Sequence, residues 1–440
     1  MKLVNIHKLT IVLPLSLLLW TTSNAQQWTL QQCLDTAQVN NKNLQIGLNN
    51  EILSQDKQKE VQANLLPKLT ANADYKYFTN LPYQLMPLST FDPTAPEGKF
   101  KETQFGVPHN ISANLQLAIP LYNPQIYGGI KKSKIAMEMT TLQYEKSKEQ
   151  IYFEISNLYY NAQILKAQLD FLESNLANAN RLLSNLKLLN DQLLATGTDV
   201  GKVELQVAQL STKNTTIQSK LEQVLRAMKF AIGIPTERAF EVETSIVATN
   251  QNEYTALPSL DYRLITIQNK LLSSELKTLN NSRYLPSVNL MGSYGTSGFG
   301  YDKKPNTFLN FYPIGFAGLQ VSYPIFNGTA TLHRVHQKKI ELQNNELKSS
   351  LVDDQNTMQI ANANAQRNTS YQAIETSNQQ IQLAQKIYSN TLLQQEQGVA
   401  SLTDVLLADN ALREAQQTNL SVIIDYLKAD LELKKLTGNL

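Results

Sequence analysis

Two hydrophobic periods alternate along this 440-residue chain. In the first, Ile151, Ile155, Leu158, Ala162, Leu165, Leu169, Leu172, Leu176, Ala179, Leu183, Leu186, Asn190 and Leu193 follow one another at spacings of four and three. Sustained over so many turns, that spacing is the seam of a coiled coil. In the second, apolar residues take every other position. Leu69, Ala71, Ala73, Tyr75 and Tyr77 alternate with Thr70, Asn72, Asp74 and Lys76. Ile111, Ala113, Leu115, Leu117, Ile119 and Leu121 oppose Asn110, Ser112, Asn114 and Gln116. Val288, Leu290 and Tyr294 oppose Ser287, Asn289 and Ser293, while Ala317, Leu319, Val321, Tyr323 and Ile325 oppose Gly318, Gln320 and Ser322. A period of two marks strands with one apolar and one polar face.

Proline separates the two regimes. Twelve of the fifteen prolines fall within Pro67–Pro124 and Pro286–Pro324, leaving Ile126 to Ile234 and Ile325 to Leu440 free of it. Because proline inside a helix costs about 3 kcal/mol, its absence permits very long helices. The spacing predicts one from about Pro124 to Ala195, near 108 Å at 1.5 Å per residue. A partner from about Gly328 to Gln397 would be about 105 Å long, with a more polar seam through Ile360, Arg367, Ile374, Ile381 and Tyr388. Each is expected to end at a glycine-bearing turn, Thr196-Gly197-Thr198-Asp199-Val200 and Gly398-Val399-Ala400-Ser401. Shorter helices are expected at about 29–65, 200–231, 259–284 and 403–437.

The alternation reads as an internal duplication. Leu66-Pro67 recurs as Leu285-Pro286, Leu115 to Asn123 as Leu319 to Asn327, and Val203 to Leu210 as Val405 to Leu412, at offsets of 219, 204 and 202. The first copy therefore carries about 15 extra residues between its strands. Four segments result: residues 1–25 as a signal peptide, a first repeat over 26–235 with a strand hairpin at about 67–122, a linker over 236–258, and a second repeat over 259–440 with a hairpin at about 286–326. Each strand run is near ten residues, the roughly 9–11 that a tilted strand needs to cross a bilayer. A soluble, half-buried sheet would show the same alternation. Four strands are too few to close a membrane barrel, whose minimum is about eight. Membrane-spanning strands here would have to be shared between chains, and three chains would supply twelve.

Composition narrows the function. With 39 Lys+Arg against 37 Asp+Glu, there is no basic excess for nucleic-acid binding. Lys2, Lys8, the apolar run Leu9–Trp20 and Ser23-Asn24-Ala25 read as a secretory signal cut before Gln26. Its removal leaves a neutral exported chain. The single cysteine, Cys33, excludes a disulfide framework and reads as a small buried hydrophobe. A mean hydropathy of -0.29 argues against a bundle of membrane helices but not against a barrel. No nucleophile elbow, phosphate loop or paired catalytic carboxylates appear, so no enzyme activity and no cofactor are expected. His333 and His336 have helical spacing for a metal, yet Arg334, Lys338 and Lys339 surround them. Those cations echo Lys131, Lys132 and Lys134 after the first hairpin, and both clusters are read as solvated faces or contacts for lipid headgroups.

The order of motifs then resembles one family. The signal, the Trp28-Thr29-Leu30 start, the Leu-Pro strand entries, the Pro-Leu-Tyr-Asn and Pro-Ile-Phe-Asn exits and the Asp-Val turns are similar to the TolC family of outer-membrane efflux channels. That resemblance implies a mainly α protein with β: a long α-helical barrel continued by a transmembrane β-barrel shared between three chains. It also implies a homotrimer in the outer membrane, extending into the periplasm. Its partners would be outer-membrane lipid, a periplasmic adaptor and an inner-membrane pump. The polar strand residues Thr70, Asn72, Asp74, Asn110, Ser112, Asn114, Gln116 and Gln320 would line the lumen. Gly197, Thr198, Asp199, Val200, Gly398, Val399, Ala400 and Ser401 would form tips that contact the adaptor. Asp404 matches the first acidic position of the family's gate ring, whereas the second falls on Leu407. A helix cap is the competing role for Asp404. The competing class for the whole chain is a soluble periplasmic coiled-coil adaptor or stalk, which needs neither the strands nor the duplication.

Overall fold

The structure, a computed structural model, describes residues 27–246 and 253–440. The signal peptide and residues 247–252 of the linker lie outside the described residues. In chain order the elements are β1 (Gln27–Trp28), α1 (Leu30–Asn40), α2 (Lys42–Ala63), β2 (Lys68–Tyr77), β3 (Tyr83–Pro87), β4 (Phe100–Gln104), β5 (His109–Tyr122), α3 (Pro124–Asp191) and α4 (Gly197–Ile232). There follow β6 (Glu241–Val242), α5 (Leu260–Tyr284), β7 (Ser287–Tyr301), β8 (Phe308–Ser322), α6 (Ala330–Glu396) and α7 (Leu402–Leu436). The long helices run 68 and 67 residues, about 100 Å each at the α-helical rise.

Contacts divide the chain into two compact units. Among the described residues, one comprises 27–41, 152–246 and 367–428. Its core follows the predicted seam: Ile155, Ala162, Leu169, Leu172, Ala179 and Leu186 are buried. On the part of α6 within this unit the buried positions are Arg367, Ser370, Ser377, Ala384 and Tyr388, again at spacings compatible with three and four. Small and polar residues fill this second seam, which is why its apolar pattern was faint. Amides bridge the helices there. Asn419 Nδ2 donates to Ser377 Oγ at 2.9 Å, and Asn175 Nδ2 donates to Gln416 Oε1 at 2.9 Å. A buried amide without a partner would cost about 1–3 kcal/mol, so such pairs fix helix register as well as satisfying the groups.

The expected single helix at 29–65 is two helices. Thr29 caps α1 with a capping box closed by Gln32, and Asn41 breaks the chain in an extended conformation. The Asn41 side chain donates to Ala231 O at 2.7 Å. A polar anchor to the end of α4 thus outcompetes helix continuation at that residue. Cys33 is fully buried in α1, and burial pushes its thiol up to about 12.

The other unit comprises residues 42–151, 253–366 and 429–440 and holds the main sheet. Its strand order is β2-β5-β7-β8, with every pair antiparallel. β5 has 14 residues and β7 and β8 have 15 each, longer than the ten the alternation suggested. The extension comes from glycine-rich and aromatic stretches in 295–316, where strict alternation fades. In β8 the apolar residues lie on both faces: Phe308, Tyr312, Ile314 and Phe316 share the side of Gln320. The extra residues of the first hairpin form a second small hairpin, β3 with β4. In the same unit, Ile135 and Leu142 of α3 pack with Ile267 of α5. Glu275 of α5 pairs with both Lys132 and Lys338, the latter at 2.9 Å.

Candidate functional site

Strand register tests whether the polar strand residues share a face. Thr70 lies opposite Gln116, Asn72 opposite Asn114 and Asp74 opposite Ser112. Across the next ladder, Gln116 faces Ser293 and Ser112 faces Ser297. Asn110 pairs with Lys76, and Gln320 pairs with Asn289. Directly opposed residues in a sheet point to the same side, so all eight predicted positions share one face, polar across β2 and β5 and aromatic along much of β8. Two contacts run across it: Asn72 Nδ2 lies 3.4 Å from Asn114 Oδ1, and Ser112 Oγ lies 3.4 Å from Asp74 Oδ2. The opposite face carries rows such as Leu69–Leu117 and Ala71–Leu115–Tyr294. Leu69, Leu115, Tyr294 and Leu319 are exposed on it, an apolar surface that a soluble sheet would have to cover.

The sheet has two open edges. Among the described residues, β2 pairs only with β5, and β8 only with β7. β8 is exposed along its whole length. Long apolar edge strands are templates for further pairing, and stable proteins pair them, cover them or charge them.

The two turns, both in the first unit, match hydrogen bond for hydrogen bond. In one, Leu193 N–H donates to Asn190 O at 2.9 Å and Leu194 N–H to Leu189 O at 2.8 Å. In the other, Gly398 N–H donates to Gln395 O at 3.0 Å and Val399 N–H to Gln394 O at 2.8 Å. Both are Schellman motifs. The next helix then begins at a hydroxyl cap: Asp199 N–H donates to Thr196 Oγ1 and Asp404 N–H to Ser401 Oγ, each at 3.2 Å. All these partners are related by an offset of 205, three more than the 202 read from Val203 and Val405. The shift corrects one expectation. Gly197 is not the counterpart of Gly398; it starts α4, and the left-handed position of the first turn belongs to Leu193, with φ 62. Leucine there costs about 1–2 kcal/mol relative to an unstrained residue. Sequence reading missed Leu193 because a glycine lay nearby and leucine gives no turn signal. Its side chain is 92% exposed, and Leu194 and Val399 beside it are 71% and 76% exposed.

Asp199 and Asp404 occupy equivalent cap positions but differ in charge balance. Asp404 Oδ2 accepts from Ser401 N at 3.0 Å and Ser401 Oγ at 2.6 Å, completing a capping box with aspartate in place of glutamate. The Ser401 hydroxyl and amide hold its carboxyl below the usual range. Asp199 is likewise held down, first by Thr196 and then by Lys202, whose Nζ lies 3.3 Å away. The residue equivalent to Lys202 is the exposed Leu407, so Asp404 keeps its net charge. Behind the turns, Val203, Val405, Leu412, Leu186 and Tyr388 form a core. Asp409 is buried at its side, accepting from Gln206 Nε2 at 2.5 Å and pairing with Arg413 at 3.0 Å. Burial pushes the Asp409 carboxyl up, against the opposing pull of Arg413 and Gln206. His333 and His336 are both exposed on α6, and no group of metal-ligating side chains occurs among the described residues.

A four-stranded antiparallel sheet and two helices of nearly seventy residues are shared with outer-membrane channels of known structure. VceC from Vibrio cholerae shares the fold with a TM-score of 0.73 at 16% identity, over 93% of this chain and 96% of that one. The CmeC outer-membrane channel of Campylobacter jejuni gives 0.75 at 15% identity, over 93% and 85%. The open state of the Neisseria gonorrhoeae MtrE channel gives 0.71 at 16%, over 93% and 88%. In sequence, outer membrane protein TolC of Vibrio cholerae is 20% identical over 341 residues, 75% of this chain and 77% of that protein. Residues 275–439 match the family described as outer membrane efflux protein. The second half of the chain thus carries the outer membrane efflux protein pattern, and the chain as a whole is similar to TolC-like proteins of the outer membrane.

Proposed function

We propose that three copies of this chain close one twelve-stranded barrel and form the outer-membrane exit channel of a tripartite efflux or secretion system. The observation that carries this reading is the pair of open edges, β2 and β8, on a sheet with one apolar face and another that is polar across β2 and β5. In lipid every backbone amide must be paired, so a spanning sheet has to close. Pairing β2 of one copy with β8 of the next closes it without new elements. The matched turns, offset by 205, support an internal duplication in which each half supplies two barrel strands. The polar face would line a hydrated, weakly charged lumen through which small molecules or proteins pass outward.

The exposed tips Leu193-Leu194 and Val399 are the natural contact for a periplasmic adaptor that couples the channel to an inner-membrane pump. Strain held at an exposed residue is expected where a surface serves binding rather than folding. Crosslinkers placed at 197–200 and 398–401 should capture a periplasmic protein, and failure at both turns would reject the docking role. The uncompensated Asp404 is the gate candidate: three such carboxylates around an axis would narrow the closed end and attract divalent cations. In planar bilayers Asp404→Ala should raise single-channel conductance and relieve block by divalent cations. Unchanged conductance and block would leave Asp404 as a helix cap alone.

A further inference from the structure

We propose that the groove between α3 and α5 binds a phosphate group, presented in the cell by the headgroup of an anionic phospholipid. The groove has a volume of about 760 Å³ and is lined by Lys131 and Lys134 from α3 and by Lys270 and Lys277 from α5. The basic cluster seen in the sequence divides in the structure. Lys132 and Lys338 share Glu275, and Lys338 also pairs with Glu341, whereas none of the four groove lysines joins an ion pair among the described residues. Glu138 is the one acidic residue lining the groove, so three positive charges remain uncompensated. The wall also contains Ser274, whose buried hydroxyl has no hydrogen-bond partner. Clustered lysines and an unused hydroxyl are the donors that a phosphate accepts from.

Position selects the lipid as the source. α3 starts two residues after β5, and α5 ends three residues before β7, so the groove lies within a few turns of the strand ends. Aromatic residues mark the boundary between them: Tyr122 packs on Tyr127 at 5.8 Å, and Arg283 stacks over Tyr284 at 5.1 Å. Such rings settle at headgroup level. Side chains on a helix lean toward its N-terminus, so Lys131 and Lys134 lean toward that boundary, and their long stems can reach the headgroups.

This inference rests on the membrane reading above, so oligomer mass is recorded in the same experiment to separate the two. The mature protein in detergent is titrated with phosphatidylglycerol, with diacylglycerol as the phosphate-free control, and with inorganic phosphate, and bound species are counted by native mass spectrometry. Wild type should retain phosphatidylglycerol and not diacylglycerol. At about fivefold per lysine, the double variant Lys131→Gln/Lys277→Gln should bind about 25-fold more weakly, while Lys220→Gln/Lys386→Gln binds as wild type. Ser274→Ala should weaken retention several-fold without lowering thermal stability. Saturation by inorganic phosphate without retention of phosphatidylglycerol would overturn the lipid source and keep the phosphate chemistry. Equal retention by Lys131→Gln/Lys277→Gln and wild type would overturn the site. So would binding of neither probe together with carbodiimide coupling of Lys131 or Lys277 to an acidic residue of a second copy.

Discussion

Gly295 in β7 is the residue at which the sheet is most sensitive to a single methyl group. A Cβ there would sit 2.2 Å from Ala113 O and 2.6 Å from Asn114 Cα in β5. Ordinary contacts start near 3.4 Å, and both partners are backbone, so no rotamer change can make room. Strands β5 and β7 would have to separate by about an ångström, straining neighbouring ladder hydrogen bonds worth about 1 kcal/mol each on top of the roughly 1–3 kcal/mol of overpacking. Gly295→Ala should therefore destabilise the sheet by about 2–4 kcal/mol. Gly318→Ala, where nothing lies within 4 Å, should be neutral. β5 and β7 are the pair that joins the first two strands of the sheet to the last two, so the variant should lose the proposed barrel assembly while keeping its helical signal. The assay is the fraction migrating as an oligomer on an unheated detergent gel, followed against temperature. Gly295→Ala and Gly318→Ala melting together would refute the close packing of β5 on β7.

Other substitutions separate folding from function. Leu193→Gly should relieve about 1–2 kcal/mol of left-handed strain, offset by about 0.5–1 kcal/mol of glycine entropy, so the thermal midpoint should hold or rise. Adaptor capture should nevertheless weaken about ten- to hundredfold from losing about 1.5–3 kcal/mol of leucine burial; a fall in midpoint with capture unchanged would contradict this. Ser401→Ala should destabilise α7 by about 1 kcal/mol through loss of its cap, yet preserve divalent block, because the Asp404 charge remains. Asp409 has a folded pKa raised by burial, so its ionised form is disfavoured above that pKa and the penalty vanishes once pH falls below the unfolded value near 3.9. Facing it are Arg413 of α7, Gln206 of α4 and Tyr388 of α6. Asp409→Asn should thus melt above wild type at pH 7.5, with the advantage shrinking toward pH 4. A constant difference across that range would remove burial as the cause.

What the sequence disclosed follows from which physical signals are local. The seam from Ile151 to Leu186 and the proline-free lengths located α3 and α6 within a few residues, because helix period and helix breakers act over one or two turns. The eight polar strand positions share a face because alternation is a property of the strand itself. Register-dependent features were hidden. The extension of β7 and β8 depends on cross-strand partners, and Gly295 looks like any loop glycine until β5 is laid against it. Leu193 carries no turn signal, and the Schellman bonds that hold it left-handed are visible only in three dimensions. Likewise the sequence grouped Lys131, Lys132 and Lys134 together, whereas the position of Glu275 on α5 decides that Lys132 is the one held in an ion pair.

The central claim is that β2 of one chain pairs with β8 of another until three copies close a ring. It is tested most directly by paired cysteines, one within 69–73 and one within 315–321, introduced into the same chain and oxidised in outer-membrane vesicles. The account predicts, for pairs in register, covalent dimers and trimers and nothing larger, with a detergent-extracted mass of three mature chains. Ladders continuing beyond three copies, or a monomer released with the soluble periplasm, would contradict it.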